Sequence, residues 1–124
     1  MKINTHCHVD HIQGNYFIAR NFKLKLAGHK LEILVLEGSA EWGIQYGIRG
    51  DLSPVIEILL EEGDIIEFGN SFFEVIFFPG HSPGHIAFVN HDEKFIINGD
   101  VLFKWSFGRY DLPGGNPYVL SNSI

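Results

Sequence analysis

The clearest rhythm in the chain lies between residues 64 and 98. Asp64–Phe68 and Phe72–Phe78 are apolar-rich runs separated by Gly69-Asn70-Ser71, and His85–Asn90 and Lys94–Asn98 are separated by His91-Asp92-Glu93. Each pair reads as a β-hairpin, and the four runs together as a β-meander. The runs are nearly continuous in apolar residues, so the strands are expected to be covered on both faces or packed against a second layer. Upstream the pattern is mixed. Residues 1–5 read as the end of a strand. Asp10 to Phe22 reads as one helix, with Ile12, Tyr16, Ile18 and Ala19 roughly helically spaced and Asp10 as its candidate N-cap. Lys23 to Gly28 alternates polar and apolar residues, which predicts a short strand. Between residues 29 and 62 the rhythm weakens: His29–Leu36 and Pro54–Glu62 are expected to be helical turns, with Gly38, Gly43, Gly47 and Gly50 breaking up the stretch between them. After Val101–Phe103 the chain turns Gly- and Pro-rich.

Composition narrows the class. With 124 residues, 45% of them hydrophobic and 14% aromatic, the chain suits a single domain spanning 1–124 with a packed core. The net charge of −6 disfavours a nucleic-acid partner, because long-range electrostatics do not gather phosphate backbones. One cysteine, Cys7, excludes an intrachain disulfide and points to a reducing compartment. Met1-Lys2 leads straight into Ile3-Asn4-Thr5-His6 without an apolar leader, and the longest apolar runs are too short to span a bilayer. A cytoplasmic protein with no membrane partner is expected.

Chemistry concentrates in three short segments. In Thr5-His6-Cys7-His8-Val9-Asp10-His11 the histidines at 6 and 8 point to the same side of an extended chain and can grip one cation. Asp10 and His11 follow as the chain turns into a helix and can face a second position. Imidazole and carboxylate are ligands that Zn²⁺ accepts in catalytic sites, where one coordination position stays open for water. Pro79-Gly80-His81-Ser82-Pro83-Gly84-His85 follows a predicted strand, and its tight loop presents His81. His85 is read as the first residue of the next strand, with support of the ligands as the other reading. Asn98-Gly99-Asp100 again ends an apolar strand, where an aspartate can bridge two metals. Taken singly, each loop reads as an ordinary turn. Three successive strand-end loops that all carry ligands make one convergent site.

Together these segments resemble the metallo-β-lactamase superfamily. His6, His8, Asp10 and His11 match its HxHxDH motif, His81 its later loop histidine and Asp100 its bridging aspartate. The wording GHSPGH is similar to that of the glyoxalase II branch, and Gly108-Arg109-Tyr110-Asp111-Leu112-Pro113-Gly114-Gly115 to a loop of small glyoxalase II-like hydrolases. The resemblance implies an α/β fold: part of a four-layer αβ/βα sandwich with the metal site at strand-end loops. It implies two zinc ions, one held by His6, His8 and His81, the second by Asp10, His11 and Asp100. A metal-bound hydroxide would attack a thioester or ester, with Asp10 as the catalytic residue orienting it and a small molecule as substrate. Iron or manganese could replace zinc. The resemblance further implies strands before His6 and a C-terminal half beyond Ile124, so the domain is expected to be incomplete: either the chain is a fragment or split gene product, or an oligomer or complementing chain completes it. Persulfide dioxygenases share HxHxDH and a similar GR-x-D loop but use one iron, which makes an oxidoreductase the alternative activity. A metal-binding or interaction module without catalysis is a further reading.

Overall fold

A computed structural model describes residues 1–48 and 53–124; Gly50, expected to break the middle stretch, lies outside them. Strand β1 (Lys2–Ile3), β2 (Leu26–Gly28) and β3 (Ile56–Leu59) form a parallel sheet in the order β1-β2-β3. Strands β4 (Ile65–Phe68), β5 (Ser71–Phe77), β6 (Ile86–Asn90) and β7 (Phe95–Ile97) form the expected antiparallel meander. A short ribbon, β8 (Leu102–Phe103) with β9 (Ser106–Phe107), follows. Helices α1 (Val9–Ile12), α2 (Asn15–Phe22), α3 (Ile33–Gln45) and α4 (Pro117–Ser123) complete the described elements, with a 3₁₀ turn at Lys30–Glu32 leading into α3.

The meander carries a core on each face, as its continuous apolar strands require. On one face Ile66, Val75, Ile86 and Phe88 pack with Ala27 and Leu60 of the parallel-sheet side. On the other, Phe78 and Ala87 pack with Val101 and with Leu120 of α4. Full burial of a side chain such as Ile86 contributes about 1.5–3 kcal/mol relative to exposure. The outer strand β7 leaves Phe95, Ile96 and Ile97 partly exposed. A bond from the Ile86 N–H to the Thr5 carbonyl, 2.9 Å long, ties the end of the β1 segment to the start of β6 and so joins the two sheets beside the histidines.

Several local expectations need correction. The predicted helix from Asp10 is two helices separated at Gln13-Gly14, and the N-cap of the first is His8, with Asp10 inside its first turn. The break follows from Asn15, which is buried and donates to Asn4 Oδ1 at 2.8 Å and to Ser53 Oγ at 2.7 Å while accepting from Lys2. Asn4 in turn donates to the His11 carbonyl at 2.8 Å, closing the end of α1. The helical turn expected at 54–62 is instead β3; Ile56 and Ile58 face inward and Glu57 and Leu59 outward, a period of two. Helix α3 runs through Gly38 and Gly43, which were expected to interrupt it. Each costs about 1 kcal/mol against alanine in an exposed helix, and tertiary anchoring offsets this: Ser39 Oγ donates to the Cys7 carbonyl at 2.6 Å. Helix α4, not foreseen, starts at Asn116, whose side chain accepts from Tyr118 and Val119 N–H, with Pro117 next.

Candidate metal centre

The three chemical loops meet at one end of the two sheets. The His6–His11 segment leaves β1, the His81 loop joins β5 to β6, and Asp100 follows β7. The ring centroids of His8, His11, His81 and His85 all lie 4.0–4.8 Å from that of His6. Ligand-capable atoms of His6, His8 and His81 fall within 4.8 Å of one another, as do those of His6, His11 and Asp100. Asp100 Oδ2 lies 3.4 Å from His11 Nε2 and 3.8 Å from His81 Nε2, between the two groups. Asp10 sits at the rim: its carboxylate is 3.6 Å from His11 Nε2 and its side chain 69% exposed.

A hydrogen bond fixes which nitrogen His81 presents. His81 Nδ1 is 2.7 Å from the Arg109 carbonyl, which can only accept, so Nδ1 carries the proton and Nε2 keeps a lone pair aimed at His8 Nδ1, 3.0 Å away. His6 Nδ1 lies 3.1 Å from Thr5 Oγ1, while its Nε2 is buried without a hydrogen-bond partner among the described residues. Burial, and then the neighbouring rings, hold His6 far below the ordinary imidazole range. Burial, and then His81, lower His8 to about 4. Neutral rings with free lone pairs, one of them an orphaned buried nitrogen, fit a metal ion.

Other residues shape the cluster without belonging to it. His85, expected as the first residue of the strand, stands one residue before β6, and its Nε2 accepts the Asp100 N–H at 3.2 Å, which fits the other reading, support of the aspartate loop. Burial lowers it to about 3. Gly99, at φ +51°, lets that loop approach: a Cβ there would lie 2.5 Å from His85 Nε2 and 2.6 Å from Thr5 Oγ1. The 108–115 loop supplies the Arg109 carbonyl and is braced by a two-pronged Arg109–Asp111 pair at 2.8 Å. Cys7, between two of the histidines, turns into the core; burial raises its thiol well above the usual range. Sequence reading missed Glu32, a buried carboxylate that accepts from Cys7 N–H at 2.7 Å, Ser82 Oγ–H at 2.5 Å and Gly84 N–H at 2.8 Å. Nothing in its local pattern marks it, because its partners are 25–52 residues away.

The cluster opens onto a groove of about 750 Å³. His8, Asp10, His81 and Asp100 line its polar end; Leu34, Val35 and Trp42 of α3 face Leu112 and Pro113 across its apolar part. No helix among the described residues is long and apolar enough to cross a membrane.

A mixed α/β fold with histidines and an aspartate converging from strand ends onto one cavity makes a candidate metal site of the kind found in metal-dependent enzymes. A profile of the metallo-beta-lactamase superfamily matches residues 3–124, and the chain belongs to that superfamily. It is 32% identical to the hydroxyacylglutathione hydrolase GloC of Haemophilus influenzae, over 97% of this chain and 58% of that protein. It is 33% identical to the mitochondrial persulfide dioxygenase ETHE1 of Homo sapiens, over 98% of this chain and 41% of the relative. Among solved structures, TTHA1623 in a di-iron-bound form superposes with a TM-score of 0.88 at 36% identity, covering 98% of this chain and 59% of that one. The BLEG-1 B3 metallo-beta-lactamase superposes at 0.86 with 32% identity and the same coverage. The chain thus spans a little under three-fifths of the length of several of these relatives.

Proposed function

We propose that this chain carries the metal centre of a zinc-dependent hydrolase that cleaves a small-molecule thioester or ester. The observation that carries the reading is the buried, unpartnered Nε2 of His6 gathered with the His8 ring and the lone-pair Nε2 of His81 at the mouth of the groove. In this reading His6, His8 and His81 hold one ion, and Asp10, His11 and Asp100 hold a second. When bound, such ions act as Lewis acids and lower the pKa of water towards ~7.

The chain's own residues supply the rest. Asp10, on the groove wall, accepts a proton from the attacking water and orients it. Leu34, Val35, Trp42, Leu112 and Pro113 bind the apolar part of the substrate and exclude water from it. An acyl group with an aliphatic or aryl body suits these walls.

The test is metal content after dialysis, together with hydrolysis of a series of acyl thioesters by the catalytically competent protein. Zinc retained by the wild-type chain and lost on His8→Ala, with thioesterase activity, supports the reading. The persulfide dioxygenase relatives favour a second one, since His and Asp donors accept iron as well as zinc. Bound iron with oxygen uptake on a persulfide, and no thioester cleavage, would replace the hydrolase reading. Metal retention with neither activity would leave a binding module.

A further inference from the structure

Glu32 is 1% exposed, and no cation pairs with it among the described residues. A buried carboxylate is costly unless hydrogen bonds satisfy it, and an apolar side chain would fill the space at lower cost. Its three donors explain how it is tolerated, and their positions suggest why it is there. Oε2 takes the N–H of Cys7, the residue between His6 and His8. Oε1 takes the hydroxyl of Ser82, the residue after His81, and the N–H of Gly84. One carboxylate therefore clasps both ends of the triad from behind. The approach is close: a Cβ on Gly84 would lie 2.8 Å from Glu32 N and 2.9 Å from its Cγ.

We propose that Glu32 is a positioning residue for the metal centre, setting the spacing between the His6–His8 segment and the His81 loop so that three imidazole nitrogens converge before an ion arrives. This inference rests on the reading that His6, His8 and His81 bind metal. The triad is drawn from loops more than seventy residues apart in sequence, and their separation is free to drift unless something spans it. The 3.0 Å contact between His8 Nδ1 and His81 Nε2 joins the loops at the open side, and it is given up when both nitrogens turn to an ion. Glu32 spans the gap on the buried side, with one oxygen for each loop.

The chemistry makes ordered predictions. Glutamine keeps the shape but has a single acceptor oxygen. Whichever way its amide turns, an NH₂ group meets a backbone N–H, of Cys7 or of Gly84, so one loop is released. Aspartate is a methylene shorter and cannot reach both loops. Ser82→Ala removes one donor and leaves both backbone bonds.

The experiment measures zinc affinity by chelator competition and the visible spectrum of the cobalt-substituted protein, alongside the circular dichroism and melting temperature of each metal-free variant. Groups that orient metal ligands typically contribute 10–100-fold to affinity. We expect E32Q to lose zinc affinity within that range and to shift the cobalt bands, E32D to lose more, and Ser82→Ala to lose only a few-fold. A folded E32Q with wild-type zinc affinity and cobalt spectrum, and only a lowered melting temperature, would overturn the proposal and leave Glu32 as a clasp of the fold. If E32Q does not fold, unchanged affinity and spectrum in Ser82→Ala overturn it, and a loss in that variant supports it. A wild-type chain that binds neither zinc nor cobalt sinks the metal reading itself, an outcome distinct from insensitivity of the variants.

Discussion

The two halves of the metal centre are built differently. His6 and His81 are buried, each with its Nδ1 turned to a hydrogen-bond partner, Thr5 Oγ1 and the Arg109 carbonyl, and its Nε2 turned to the cluster, and Glu32 stands behind their loops. Asp10, His11 and Asp100 have side chains 69%, 28% and 30% exposed and face the groove. On that side His85 restrains only the backbone of Asp100. Under the proposed two-ion reading, the difference teaches that one ion's position would be prepared by the fold, while the other's would need the ion itself to draw its ligands together. Preparation lowers the ordering cost of binding, so the buried half should load first and tightest.

The comparison can be broken most directly at the buried half. His8→Ala removes a ligand from the tight position, and zinc affinity should drop by more than about 100-fold, beyond the loss usual for a supporting residue, with activity lost too. A variant that keeps wild-type zinc after dialysis would abolish the distinction between the halves. Asp10→Asn probes the open half. Asparagine removes the charge and the proton acceptor, so turnover by the active protein should fall about 100-fold or more while one equivalent of metal remains. Unchanged turnover would reduce Asp10 to a residue of the first turn of α1. Trp42→Ala tests the groove beyond both halves: preference for a long acyl thioester over a short one should shrink about tenfold, close to the ~1.6 kcal/mol that two buried methylenes represent, and equal kcat/KM ratios in variant and wild type would remove Trp42 from the binding wall.

Acid should separate the halves more gently. His8 is lowered to about 4 and His85 to about 3, both chiefly by burial, against about 6.5 in an unfolded chain. A depressed histidine favours the fold while neutral. Its contribution is present above pH ~6.5 and is lost as pH falls towards the folded values. The melting temperature of the metal-free chain should therefore hold above pH 7 and decline by several degrees between pH 6.5 and 4. A flat profile across that window would contradict the burial of these rings. With metal bound, protons compete for the same lone pairs, and the decline should coincide with metal release.

How legible each half was in the sequence follows from where its residues sit. His6, His8, Asp10 and His11 are contiguous, and the meander that carries His81 and Asp100 announces itself through apolar runs and polar turns, so the cluster and half of the fold could be read directly. β3 was hidden because Pro54 followed by leucines and glutamates, Glu57, Leu59, Leu60, Glu61 and Glu62, suggests a helical turn, and only parallel pairing with β2 decides otherwise. α3 was hidden because Gly38 and Gly43 suggest breaks, and the Ser39–Cys7 contact that helps anchor it is long-range. The separation of α1 from α2 depends on the Asn4–Asn15–Ser53 network, which no local pattern contains. α4 had a local signal, Asn116 followed by Pro117, that a closer reading of capping residues would have caught. Glu32, His85 and the Arg109 carbonyl act across the fold, and such long-range roles are written in no local motif.

The orientation of Cys7 has a consequence for chemical wear. The chain's one cysteine lies within the histidine loop, between His6 and His8, but it is turned into the core and its thiol is held protonated by burial. Electrophiles and peroxides act on the thiolate, so the site carries a sulfur at its centre without its usual vulnerability. Alkylation of Cys7 would then occur only when the loop swings open. Its rate in a maleimide quench would count those openings, slowing when an ion locks the loop and quickening when Glu32 is cut away.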